Sequence, residues 1–196
     1  MKTKKELRKE VLQKRDALSI EERREKSRKI TEQIIAQEVF VQADVLLLFA
    51  SYKSEVDTKA IFETAIEQKK EVYYPKIIGK EMEFYRVFEQ ADLAEEVRGI
   101  REPLAIEENR YIPSEQKKVC VIMPGAVFDM EGNRIGYGGG YYDKYLKKLE
   151  AKMPKKMMMK LAIAFDCQLV ENGKILSEEH DRKPDFLVTE SRIYYK

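Results

Sequence analysis

The residues best suited to chemistry are gathered in one stretch, Met123 to Tyr145, which reads MPGAVFDMEGNRIGYGGGYYDKY. It holds most of the chain's nine glycines and sets Arg134, a group of tyrosines and Asp143 against them. A glycine cluster between a strand and a helix lets backbone amides approach an anion closely, at the helix end whose dipole favours negative charge. The stretch therefore reads as a phosphate-binding loop with Asp143 placed to reach a metal or a substrate donor. An ordinary glycine-rich turn between packed elements accounts for the same residues. Lys4 and Arg8 lie one helical turn apart, so both cations can point the same way, toward an anion or simply toward solvent. Glu55 falls in the loop after an apolar strand, the edge at which open α/β sheets bind ligands.

The elements that must position these groups can be read in order. Lys4–Leu18 predicts a helix with Leu7, Val11 and Leu18 on one side. Ser19 with Glu22 has capping-box spacing and predicts a second helix reaching about Gln37. Ala43–Ala50, ADVLLLFA, predicts a strand covered on both faces, and Asp57 an N-cap for the helix TKAIFETAIEQ. Glu71–Pro75, Met82–Val87 and Lys118–Met123 predict further strands, with a turn at Gly99–Pro103. Tyr142–Glu150 predicts a helix, Met157–Phe165 a strand, Leu176–Asp185 an acidic loop, and Phe186–Val188 and Ile193–Tyr195 terminal strands. The pattern predicts one α/β domain over residues 1–196: a mostly parallel open sheet flanked by helices in three layers, with a smaller antiparallel C-terminal portion.

Composition narrows the function. The net charge of +2 conceals a basic start. Residues 1–30 carry twelve Lys and Arg against six Asp and Glu, and the remainder is slightly acidic. That suits an anionic ligand or a solvated helix surface. Cys120 and Cys167 each sit in an apolar run and read as core thiols in a reducing compartment. His180 is the single histidine, which excludes a multi-histidine zinc site. The first residues lack the apolar segment of a signal peptide, and no run approaches the ~20 residues of a membrane span. A cytoplasmic protein with no membrane partner is expected. No Ser-His-Asp or Cys-His arrangement offers a nucleophile. The basic helices lack interleaved aromatics, which argues against nucleic acid as a partner.

The glycine stretch is neither a Walker A loop, since Tyr141 follows Gly140, nor a dinucleotide fingerprint, since Tyr141 stands where its third glycine would be. PGAVFDMEGNRIGYGGGYYDKYL closely resembles the C-terminal signature of the 5-formyltetrahydrofolate cyclo-ligases, also named 5,10-methenyltetrahydrofolate synthetases. KKELRKEVLQKRDALS resembles their opening helix and SYKSEVDT their folate-contacting turn. YPKI, GIREP and AFDCQLVENGKILSEEHDRKPDFLVTE follow in the family's order.

The resemblance implies ATP- and Mg2+-dependent closure of 5-formyltetrahydrofolate to 5,10-methenyltetrahydrofolate, by a monomer. It implies Arg134 and Lys4 as catalytic groups. The nucleotide would meet Lys4, Lys5, Glu6, Leu7 and Arg8, then Arg134, Ile135, Gly136, Tyr137, Gly138, Gly139, Gly140, Tyr141 and Tyr142. The folate would meet Arg8, Ala50, Glu55, Tyr137, Gly138, Gly139, Gly140 and Tyr141. Asp143 and Asp181 would hold the metal. Ile135, Ser177 and Pro184 depart from the family pattern, and the last two leave the pose of Asp181 less fixed than that of Asp143. His180 is expected to orient its loop. The alternative is a folate- or nucleotide-binding protein without turnover.

Overall fold

A computed structural model describes residues 2–95 and 99–195. The chain begins with three helices, α1 (Lys4–Asp16), α2 (Ile20–Ile35) and α3 (Glu38–Val41). Thr3 with Glu6 and Ser19 with Glu22 form reciprocal capping boxes on α1 and α2, so the spacing read at Ser19 marks a real helix start. Each such cap stabilises its helix by about 1 kcal/mol. Strand β1 (Val45–Leu47), α4 (Lys59–Glu67), β2 (Glu71–Ile78) and β3 (Glu81–Arg86) follow. Then come β4 (Leu93–Glu95), β5 (Arg101–Pro103), β6 (Val119–Met123), β7 (Val127–Asp129) and β8 (Arg134–Ile135). The chain continues through α5 (Tyr141–Glu150), β9 (Met158–Ile163), β10 (Leu169–Val170), β11 (Phe186–Val188) and β12 (Ile193–Tyr195).

Among the described residues, seven strands form the main sheet in the order β12-β11-β9-β6-β1-β2-β3. From β11 to β2 every neighbouring pair is parallel, and β3 and β12 close the two edges antiparallel. Alternation along each strand splits the core in two. Leu46, Cys120, Ile122 and Leu161 face the layer of Ile30, Ile34, Ile61 and Phe62 from α2 and α4. Val45, Leu47, Val121 and Met123 face Tyr145, Leu146 and Leu149 of α5. The layers are α/β/α, as the alternating pattern predicts. A small sheet, β10-β7-β8, lies beside the main one, and Leu7 and Val11 of α1 are buried against its Val127 and Ile135.

Local differences from the sequence reading have local causes. The run Ala43–Ala50 is buried almost throughout, but only Val45–Leu47 is strand. The chain then leaves the sheet to build a wall of the site. The N-cap of α4 is Thr58, not Asp57; the Asp57 carboxylate still accepts from the Lys59 amide at 2.9 Å. Within the expected turn Gly99–Pro103, residues 101–103 are strand β5, paired antiparallel with β4. Among the described residues no helix is long and apolar enough to cross a membrane.

Candidate active site

Strand β8 delivers Arg134 and then the loop 136–140, which runs straight into α5. Gly140 is the N-cap of α5, at φ 64°, and no side chain caps the helix there. The amides of the first turn are therefore left for another acceptor, at the positive end of the dipole. Gly138 has φ 101°, and a Cβ on it would lie 3.2 Å from the Arg8 guanidinium. Arg8 donates to the Gly136 carbonyl at 3.3 Å, so α1 is fastened across the loop.

The hairpin carrying Arg134 is held from within. Asp129 is fully buried; its Oδ1 accepts the amides of Glu131 and Asn133 at 3.0 and 2.9 Å, and its Oδ2 accepts from Asn133 Nδ2 at 2.8 Å. Gln168 clamps the strand entry by donating to the carbonyls of Gly125 and Ala126 at 2.8 and 3.1 Å. With its backbone fixed, Arg134 reaches Asp143 Oδ1 at 2.7 Å and the Pro124 carbonyl at 3.3 Å. Its side chain is 6 % exposed, and among the described residues its buried Nε has no partner. Asp143 Oδ1 also accepts the Arg182 amide at 3.0 Å, which draws the loop of Asp181 to the start of α5.

A second cation–carboxylate group closes the rim. Lys4 Nζ lies 2.7 Å from Glu178 and 3.1 Å from Asp181 Oδ2. The Glu178 amide also donates to Asp181 at 2.9 Å. Burial draws the Asp181 carboxyl upward, but the Glu178 amide and Lys4 outweigh it and hold it below the usual range. For Lys4, burial draws the pKa down and the two carboxylates more than offset it, leaving it raised. His180 Nε2 stands 3.6 Å from Glu178 and 3.8 Å from Asp181, on an exposed side chain at the outside of this loop.

The opposite wall comes from the segment after β1. Glu55 accepts the Tyr52 amide at 2.9 Å and is half-buried. Burial pushes its carboxyl above the ordinary range, opposed by the Tyr137 phenol, the Tyr52 amide and the Arg15 charge. Arg15, on α1, donates from Nε to Ser54 Oγ at 3.0 Å and from NH1 to the Tyr137 hydroxyl at 2.7 Å. Ser54 in turn donates to Asp16. The buried hydroxyl of Tyr142 has no partner among the described residues, and burial pushes its pKa up, with Glu55 adding to the shift.

Between the walls is a cavity of 520 Å³ beyond the carboxyl ends of β1 and β6, lined by Phe49 and Ala50 shortly after the first and by Pro124 directly after the second. That is the edge at which α/β sheets bind ligands. Of the residues named from the sequence, Ala50, Glu55, Arg134, Gly136, Tyr137, Gly139, Gly140, Tyr141, Tyr142 and Asp143 line it. Lys4, Arg8 and Asp181 stand on the rim through the contacts above, and Gly138 faces Arg8. Lys5 is exposed, and Glu6 is occupied as the partner of Thr3 in the capping box. Leu7 and Ile135 are each 4 % exposed and pack into the core between α1 and the small sheet, so their side chains serve packing. Sequence reading missed Arg15, Ser54, Asp129 and Gln168. Of these only Asp129 carried a signal, as the acid of an Asp-x-x-Gly turn between short strands.

A cavity at the carboxyl edge of an open α/β sheet, faced by a glycine loop, a buried arginine and an acid, has the form of an α/β enzyme's ligand site. Comparison with known proteins narrows this. A profile of the 5-formyltetrahydrofolate cyclo-ligase family matches residues 1–190, and the chain belongs to that family. It is 34 % identical over 156 residues to a probable 5-formyltetrahydrofolate cyclo-ligase of Schizosaccharomyces pombe, covering 76 % of each chain. It is 30 % identical over 189 residues to the 5-formyltetrahydrofolate cyclo-ligase of Mus musculus, covering 94 % of this chain and 92 % of the other. The solved structure of an Aquifex aeolicus 5,10-methenyltetrahydrofolate synthetase superposes with TM-score 0.81 at 35 % identity, over 98 % of this chain and 92 % of that one.

Proposed function

We propose that the chain, acting as one domain and as a monomer, closes 5-formyltetrahydrofolate to 5,10-methenyltetrahydrofolate at the expense of ATP, releasing ADP and phosphate. The observation that carries this reading is that Glu55 and the glycine loop with Arg134 line the same cavity. A flat heterocycle and a triphosphate can therefore meet there.

The N5-formyl group is an amide, whose carbon is a weak electrophile and whose oxygen leaves poorly. Transfer of the γ-phosphoryl group to that oxygen makes the carbon iminium-like and the oxygen a good leaving group, so the N10 amine can attack and expel phosphate. Such a reaction asks the protein for positioning and charge stabilisation rather than for a nucleophile. Glu55 accepts hydrogen bonds from the pterin amino edge, while Tyr137 and Tyr141 offer flat faces for stacking. The loop amides from Gly136 to Gly140 and the open first turn of α5 receive phosphate oxygens. Arg134 clamps the transferring group, and Lys4 and Arg8 neutralise the rest of the triphosphate.

Asp143 and Asp181 fit a magnesium ion: they are hard oxygen donors on backbone segments joined by the Arg182 amide, and magnesium takes its remaining ligands from phosphates and water. When bound, the ion would shield phosphate charge and polarise the transferring group. Mixing protein, 5-formyltetrahydrofolate, ATP and Mg2+ tests the reading, with near-ultraviolet absorbance reporting the methenyl product. Product requiring both ATP and Mg2+ supports it. Absence of product at high protein concentration overturns it in favour of a binding protein without turnover.

A further inference from the structure

Arg15 is a cation 4 % exposed, bonded to Tyr137 of the cavity lining and to Ser54, and outside every role assigned above. Burying a guanidinium is costly unless it is hydrogen-bonded and near an anion. Its two hydrogen bonds reach different walls of the cavity: Ser54 on the segment after β1, and Tyr137 on the glycine loop. The guanidinium also lies 5.8 Å from the centre of the Tyr137 ring, within cation–π range. Ser54 is adjacent to Glu55 in sequence and passes its own hydrogen to Asp16, the neighbour of Arg15 on α1. The hydroxyl of Tyr137 accepts from Arg15, so its own hydrogen is directed away from the guanidinium.

We propose that Arg15 is a positioning residue for the substrate wall: it locks the Tyr137 phenol and the Ser54–Glu55 backbone together and sets its positive charge beside Glu55. The inference rests on the folate-binding reading of that wall. The groups facing Glu55 are Arg15 from α1, the Tyr52 amide from its own loop, the Tyr137 phenol from the glycine loop and Tyr142 from α5. Arg101 and Glu102 of β5, with Asp143, Tyr141 and Arg134, line the remainder of the cavity. Of the groups on Glu55 itself, Arg15 carries the positive charge, so its removal leaves burial less opposed.

The test has a ligand-free arm and a ligand arm. Carbon-13 NMR of the Glu55 carboxyl, assigned with Glu55→Gln, follows its titration without folate. Arg15→Met should move that titration to higher pH; Arg15→Lys, which keeps the charge and loses the fork, should leave it close to the parent. Equilibrium binding of 5-formyltetrahydrofolate should weaken on the order of tenfold at neutral pH in Arg15→Met, the scale of losing a charge-assisted hydrogen bond. It should recover as pH rises, whereas Arg15→Lys should weaken it equally at all pH. Ser54→Ala removes the other acceptor of Arg15 without touching α1 or a group bonded to Glu55 and should move Glu55 in the same direction, which keeps the test decisive if Arg15→Met does not fold. An unmoved Glu55 titration in Arg15→Met or, where that variant does not fold, in Ser54→Ala, or a loss of affinity in Arg15→Met that is the same at every pH, overturns the inference. If Glu55 moves as stated and the parent binds no folate, the coupling is upheld and the folate-binding reading is what fails.

Discussion

The two walls of the cavity are built on opposite electrostatic plans. On the side of β1, Arg15 is hydrogen-bonded to the Ser54 and Tyr137 hydroxyls and acts on Glu55 through its charge, while Glu55 accepts the Tyr52 amide. On the glycine-loop side, cations sit directly on carboxylates, Arg134 on Asp143 and Lys4 on Glu178 and Asp181. Burial has the stronger hand on the first wall and raises the Glu55 carboxyl. On the second wall, amide and lysine contacts prevail over burial and lower that of Asp181. On the proposed reading, the first wall receives the planar pterin at one acidic recognition point. On the same reading, the second holds opposite charges that a metal and a polyphosphate would redistribute among themselves.

If that division is right, substitutions should separate by wall. Arg134→Ala should lower kcat by about 10²–10³, the usual loss for one preorganised charge-stabilising donor. Folate binding should stay near the parent value by equilibrium titration, and an equal loss of both would erase the distinction between the walls. Asp143→Asn keeps the shape and removes the charge. It should raise the Mg2+ concentration needed for half-maximal activity by more than about tenfold, the loss expected even of an outer-shell partner. An unchanged magnesium titration would refute the metal assignment. Glu55→Gln should weaken folate binding on the order of tenfold, abolish the acid limb of its pH profile and leave ATP affinity unchanged, all measurable by calorimetry.

Two smaller effects concern stability. Asp129→Ala removes a buried acceptor of three hydrogen bonds, so chemical denaturation should show a loss of about 1–3 kcal/mol. Lys4→Met should cost less than ~1 kcal/mol, because the Lys4 and Asp181 side chains are 35 % and 18 % exposed. The folded-state pKa of Asp181 is depressed, so this contribution is present above the unfolded carboxyl range and disappears as pH falls through the folded value. Parallel denaturation curves of Lys4→Met and parent should therefore converge in acid.

Much of the second wall was legible because its composition is unusual. Arg134, the glycines and Asp143 follow one another along strand, loop and helix, so their spacing in the chain already brings them together. The short strands Phe186–Val188 and Ile193–Tyr195 stood out as apolar runs bounded by polar turns. The first wall was harder to read. Arg15 is one of many cations on a charged helix, and nothing in α1 distinguishes it. Its burial is imposed by Ser54 and Tyr137, which approach it only in the folded chain. Strand β5 was hidden for a similar reason: its pairing with β4 settles residues 101–103 as strand where local sequence spoke for a turn. Leu7 looked like part of a ligand-contacting block through its neighbours Lys4 and Arg8, yet the helical period turns it the other way, into the core.

The fastening of α1 has a consequence for how the chain comes into being. Its ties run from Lys4 to Asp181, from Arg8 to Gly136 and from Arg15 to Tyr137, spans of 177, 128 and 122 residues. A helix of 13 residues is marginal on its own in water, and contacts so distant in sequence are entropically slow to close. During synthesis α1 is therefore made long before the partners that hold it. The Lys4 tie closes only when residues near 181 have been made, so a chain truncated before them would keep most of its parallel sheet and the residues that line the cavity, yet lack that part of the rim.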